Sequence, residues 1–225
     1  ANGSGSSNED GSINTTATSV NTTAGISIST YTGTGANATI GHGLGVAPTL
    51  MFVKSIGAAH SWRVYHKDLT SAAYTLYLDT IDAQASEATA WNSTAPTSSV
   101  FSVGSSNGTN KSSTVNVAYC FAEVEGFSKF GSYTGNGSTD GPFIFTGFKP
   151  AFVLFKKTSS TDSWELFDNT RPGYNATGLG LLPNTTAAEA TGRNIDILSN
   201  GIKQRNTNGT TNESGNTYVF MAFAE

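Results

Sequence analysis

The sequence predicts an all-β chain of two tandem, pseudo-equivalent antiparallel β-sandwich units of jelly-roll type, and three observations predict it. The first is a duplication. Tyr31-Thr-Gly-Thr-Gly35, Pro48, Lys54 and Ser61-Trp62 return 102 positions later (Tyr31 to Tyr133, Pro48 to Pro150, Trp62 to Trp164) as Tyr133-Thr-Gly-Asn-Gly137, Pro150, Lys156 and Ser163-Trp164. Ala85, Glu87 and Ala88 return as Ala187, Glu189 and Ala190, and Phe121-Ala-Glu123 as Phe223-Ala-Glu225. Self-similarity at a fixed period marks one structural unit written twice. The second observation is a series of short runs that alternate apolar and polar residues, bounded by Gly, Pro and Asn, which is the pattern of half-buried strands. The third is the source of polarity: only 12% of residues are charged, so hydroxyls and amides cover the surface, as suits a β-rich or carbohydrate-facing one.

Taken in order, residues 1–24 are Gly, Ser, Asn and Thr with almost no large side chain, and read as a connector. Residues 25–124 form the first sandwich repeat and 125–225 the second. Ile26 to Tyr31 alternates with period two. Leu50-Met-Phe-Val53 and Ala151-Phe-Val-Leu-Phe155 are apolar throughout, which fits central strands covered on both faces. Trp62-Arg-Val-Tyr-His66 alternates again, and Tyr74, Leu76 and Leu78 line one face of a further strand. The alanine-rich stretch between Asp79 and Ser98 has room for one short helical turn. Asn107-Gly108 signals a hairpin, and Val115 to Phe121 is the clearest strand of the unit. The second repeat follows the same plan, with strands at 127–133, 143–145, 151–155, 164–167, 179–182, 195–198, 202–205 and 217–224.

Composition excludes several functions. A net charge of −4 and a pI near 5.3 leave no basic stripe for nucleic acid. There is no apolar run near the length needed to cross a membrane as a helix. The single cysteine, Cys120, is matched by Ala222 in the second repeat and reads as a small core residue. Sequons such as Asn14-Thr-Thr16 and Asn184-Thr-Thr186 are expected by chance in so Asn- and Thr-rich a chain.

The candidate chemistry is sparse. Gly104-Ser-Ser106-Asn-Gly108 spells the nucleophile elbow of serine hydrolases, but that motif needs a strand before it and a helix after it in an α/β setting. It reads instead as a polar turn, with Asn208 opposite Ser106 in the second repeat. His42, His60 and His66 lack metal-ligand spacing and are matched by Ile144, Asp162 and Asp168, so no metal and no cofactor is expected. Asp79, Asp82, Glu87, Glu123 and Glu125 have no motif fixing a catalytic pair. Asn136-Gly-Ser-Thr-Asp140 offers oxygen ligands for calcium or, more simply, an Asx turn. Trp62 and Trp164, present in both repeats, are expected in the core. Trp91 sits in a polar loop and has no twin, and Tyr174 is a second loop aromatic. Both are candidate ligand contacts, because a flat ring stacks on the apolar face of a sugar; packing is the competing role for each.

The stretches Gly43-Leu-Gly45-Val-Ala-Pro48, Leu50 to Lys54, Trp62-Arg-Val-Tyr65-His66, Trp91 to Phe101 and Ala118-Tyr-Cys-Phe-Ala-Glu123 resemble a repeated β-domain of phage tail-fibre and tail-spike proteins, especially from phages of marine bacteria and cyanobacteria. Gly126-Phe-Ser-Lys-Phe-Gly-Ser-Tyr-Thr-Gly135 and Ala222-Phe-Ala-Glu225 resemble the same domain's second copy. The resemblance covers roughly residues 25–225. It implies an extracellular virion component, non-enzymatic and usually homotrimeric, whose partners are its own copies, other virion proteins and a host-surface glycan or protein. No catalytic residue is carried over from it. A carbohydrate-binding module of a secreted enzyme or adhesin, and a purely structural virion decoration or filament subunit, are the alternatives.

Overall fold

The computed structural model describes residues 3–171 and 175–225. The chain is all-β, with two helices of four residues each among those described, α1 (Asn107–Asn110) and α2 (Gly209–Asn212). Contacts divide it into two compact units, Ala1–Tyr77 with Ala85–Val124, and Leu78–Gln84 with Glu125–Glu225.

The first unit holds β1 (Ala17–Asn21), β2 (Ile26–Thr32), β3 (Ala38–Gly41), β4 (Leu50–Ser55), β5 (Arg63–His66), β6 (Tyr74–Tyr77), β7 (Ala85–Ser86), β8 (Val100–Val103) and β9 (Val115–Phe121). Seven of these make one antiparallel sheet in the order β1-β2-β9-β4-β5-β6-β7, and β3 pairs with β8 in a second sheet. The core lies between the two layers. Tyr31, Met51, Val53, Tyr65, Ala118 and Cys120 face Ile40, Phe101 and Val103, with Trp91 among them. β4 is buried on both faces, as its unbroken apolar run requires of a central strand.

The second unit holds β10 (Ser128–Thr134), β11 (Phe143–Phe145), β12 (Pro150–Lys157), β13 (Glu165–Asp168), β14 (Ile195–Leu198), β15 (Gly201–Gln204) and β16 (Thr217–Ala224). Its sheets run β10-β16-β12-β13 and β11-β15-β14. Val153, Phe155, Phe167, Phe220 and Ala222 of the larger sheet pack on Ile144, Ile195, Ile197 and Ile202 of the smaller. The strand order β2-β9-β4-β5 recurs as β10-β16-β12-β13, and so does the register. Tyr31 lies opposite Asn116 and Tyr133 opposite Tyr218; Val53 lies opposite Arg63 and Phe155 opposite Glu165.

Four expectations are corrected. Residues 3–24 are no free connector: β1 extends the large sheet, and the arm before it lies along β3. Hydroxyls do there what apolar side chains do elsewhere, since Thr15, Thr18 and Ser29 are buried and bond in series at 2.8 and 3.0 Å. Asn107-Gly108 makes α1 and not a hairpin, because the Ser106 hydroxyl accepts the Gly108 N–H and caps the turn; Asn208 does the same for α2. The alanine-rich stretch forms β7 and non-helical turns, in which Asn92 and Ser93 take positive φ. Leu78 leaves its strand: β6 ends at Tyr77, and Leu78–Gln84 belongs to the second unit.

The duplication also slips locally. Buried Ile40 pairs with Phe101 in the first unit, and buried Ile144 pairs with Ile202 in the second. The equivalent of Ile40 is therefore Ile144 and not Pro142, two places beyond the general offset. Flanking Ile40 are Thr39 and Gly41; flanking Ile144 are Phe143 and Phe145.

Candidate functional site

The repeated Tyr-Thr-Gly-x-Gly motif is a structural clamp. The Tyr31 hydroxyl donates to the Thr109 carbonyl at 2.5 Å, and Tyr133 to Thr211 at 2.7 Å. The Asn110 amide donates to the carbonyls of Ala36 and Gly104 at 2.6 and 2.9 Å, and its oxygen accepts from Thr34 N–H at 2.8 Å. Asn212 repeats all three bonds with Ser138, Asn206 and Asn136. Gly33 and Gly135 are required because a Cβ at either would stand 2.4 Å from a carbonyl oxygen, that of Lys111 or Glu213. Both asparagines are fully buried, where an unmet amide costs about 1–3 kcal/mol. The motif therefore fastens each short helix to its sheet.

The repeated lysine is likewise structural. Lys54 donates to the His60 carbonyl, and Lys156 to the equivalent Asp162 carbonyl at 2.9 Å. Lys156 also reaches the carbonyls of Ile81 and Lys157 and is fully buried. Burial, only partly offset by nearby Asp162, brings its ammonium down to about 8. The folded chain thus binds fewer protons than the unfolded one between about pH 8 and the ordinary lysine value of 10.5, and stability rises with pH there. Urea titrations are expected to show a gain of about 1 kcal/mol from pH 8 to 9, and none in Lys156→Gln. Equal slopes would remove Lys156 as the cause.

Each unit keeps a shielded arginine–carboxylate pair beside its short helix, with the charges exchanged. In the first, Arg63 of β5 meets Glu87 at 2.9 Å and lies over the Tyr77 ring, 4.5 Å from its centre. In the second, position 165 holds the acid: Glu165 of β13 lies 3.4 Å from Arg193 and accepts the Thr210 hydroxyl. The Ser106 hydroxyl of the elbow-like pattern donates to Glu87 at 2.5 Å and caps α1. Among the described residues its side-chain partners are Glu87 and the Gly108 N–H. Ser106 is thus held as the cap of α1 and tied to the Glu87 carboxylate, which Arg63 also pairs.

The two candidate contact residues fare differently. Trp91 is fully buried in the core of the first unit, 5.9 Å from the Tyr65 ring in an edge-on arrangement. It is not a stacking platform: the polar loop around it turns back through Ser93 N–H to Ala88 O and Thr94 N–H to Trp91 O, and carries the ring inward. Tyr174 lies outside the described residues. Trp164 is buried and Trp62 is half-buried, where it packs on Tyr119. His42 is buried with both ring nitrogens engaged, by Thr97 O and Leu44 N–H, and burial lowers its pKa. Asn136 forms the Asx turn through Ser138 N–H, and Asp140 pairs with Lys203 at 2.8 Å. Among the described residues, no group of three or more His, Cys, Asp or Glu stands where it could hold a metal ion, and no helix is long and apolar enough to cross a membrane.

Exposed apolar groups cluster on the smaller sheet of the second unit, around β11. Phe143 and Phe145 are 46% and 62% exposed, and Leu198 of β14 is 37% exposed. The registers put all three on the outer face, Phe143 across from Lys203 and both Phe145 and Leu198 across from Gly201. The Phe143 ring lies where a Cβ on Gly201 would be, 2.8 Å away. Salt bridges of Lys203 and Arg205 with Asp140 and Asp196 rim the patch. Sequence reading placed this strand but not its outer aromatics; the signal was the change from Thr39 and Gly41 to two phenylalanines around the shared isoleucine.

One family matches residues 1–225, and its description is a domain of unknown function (DUF7483). No curated protein and no solved structure matches the chain.

Proposed function

We propose that this chain, which belongs to the DUF7483 family, is a non-enzymatic structural component of a virion tail fibre or spike that contributes to host-surface attachment. The observation that carries the reading is where the duplicated residues go: Tyr31 and Tyr133, Asn110 and Asn212, Lys54 and Lys156 are all spent on main-chain bonds that hold the framework. A scaffold written twice serves display, where repeated weak contacts add to useful avidity. The resemblance to phage fibre domains supports the same reading, with a homotrimer, other virion proteins and a host glycan or protein as partners. The expected result is a stable trimer in sedimentation equilibrium that binds host cells in pull-down. A monomer that binds glycan would favour the carbohydrate-binding module instead. A trimer without cell binding would favour a purely structural virion subunit.

A further inference from the structure

Among the described residues, the outer edge of the smaller sheet is closed in the first unit and open in the second. In the first, His42 N–H donates to Ser99 O across the β3–β8 pair, so the even-numbered residues of β3 face β8 and Thr39 faces outward. Thr39 is met there by the arm: its carbonyl accepts Ile13 N–H at 3.0 Å, and its N–H and hydroxyl bond Ser12. Asn8 lies over Gly41, whose missing Cβ would be 1.6 Å from the Asn8 oxygen.

In the second unit, Gln204 N–H donates to Pro142 O and Thr146 N–H to Asn200 O. The main-chain groups of Phe143 and Phe145 therefore face away from β15, the one strand among the described residues that pairs with β11. The joint from the end of β9 at Phe121 to the start of β10 at Ser128 is too short to supply an arm like that of the first unit. An unprotected strand edge with apolar side chains and no charge of its own is a template for strand addition.

We propose that β11 pairs with β11 of a second copy of this chain, antiparallel, about a two-fold axis at Ile144. The self-match is built into the strand. The outward N–H and C=O of Phe143 and Phe145 flank Ile144 on either side, so a two-fold sets Phe143 against the partner's Phe145, and the reverse, and satisfies all four residues. The same operation gathers four phenylalanine rings on the outer face and joins the two small sheets into one. An isologous contact of this kind closes on two copies. It goes beyond the fibre reading and does not rest on it: where trimers also form, the contact joins them in pairs.

Sedimentation equilibrium of the whole chain tests it. The expected result is an even-numbered species that forms with rising concentration. Phe145→Lys halves its mass while leaving the melting temperature within about 2 °C, as expected for an exposed side chain. Phe143→Lys mixed with Phe145→Asp is expected to restore association, since the two-fold register sets the new lysine against the new aspartate. Odd-numbered species alone up to about 1 mM, association that survives Phe145→Lys, or a mixture no larger than either variant alone would each overturn the pairing.

Discussion

Replacing Trp91 with alanine lowers the unfolding free energy of the first unit by about 4 kcal/mol and leaves binding per folded molecule unchanged. The ring has no exposed surface, and its removal opens a cavity against Tyr65, Met51 and Phe101 that these side chains fill only in part. One feature moderates the loss: the indole N–H has no hydrogen-bond partner among the described residues, so the site gains nothing from the ring's polar group and depends on its volume. Trp91→Phe is accordingly expected to recover more than half of the loss. Urea midpoints for the two variants, with cell binding measured on the folded fraction, check the result. Weaker binding at undiminished stability would restore Trp91 as a contact residue.

Replacing Arg193 with methionine costs about 3 kcal/mol at pH 8 and clearly less at pH 5. The Glu165 side chain has no exposed surface. Burial already raises its pKa, while the Thr210 hydroxyl and the Arg193 charge pull it back. Without Arg193 the carboxylate keeps only the hydroxyl, and its pKa climbs further. The sign follows from proton counting. A carboxyl with a raised folded pKa binds protons in the folded state that the unfolded chain has already lost, so stability falls as pH rises from the ordinary value through the folded one. Protonation at pH 5 therefore spares the variant much of the penalty that it meets at pH 8. Urea denaturation at both values is the measurement, and an equal loss at each would reduce Arg193 to a packing role.

Strands were the most legible part of the sequence. Ile26 to Tyr31 and Val115 to Phe121 alternate cleanly, yet their core sides carry Ser27, Ser29 and Tyr31 in the one and Asn116, Ala118 and Cys120 in the other, while Ile26, Ile28 and Val115 lie on the opposite, less buried face. The apolar run of Leu50 to Val53 announced a strand covered twice. Repetition marked Tyr31 and Lys54 as important without saying for what; their acceptors are carbonyls of residues such as Thr109 and His60, and main-chain groups leave no trace in composition. Trp91 misled because its neighbours are polar, and burial is decided by where a loop turns rather than by what surrounds a residue in sequence. The arm misled for the opposite reason. Serine and threonine look like solvent-facing residues until their hydroxyls satisfy one another, as Thr15, Thr18 and Ser29 do. The outer aromatics of β11 were hidden by the local slip of the duplication, which aligned Ile144 with His42 and so broke the comparison at this strand.

Leu78–Gln84 has a consequence for dissecting the molecule. Written in the first half of the gene, it supplies the second body with Ile81 O for Asp162 N–H and the Lys156 ammonium, and with Gln84 N–H for Thr158 O. Severing the polypeptide after Val124 thus does not yield two intact pieces: the C-terminal fragment would leave behind acceptors that its most deeply enclosed cation relies on. The boundary at which the protein was copied and the boundary at which it holds together are different lines, and only the latter is a place to cut.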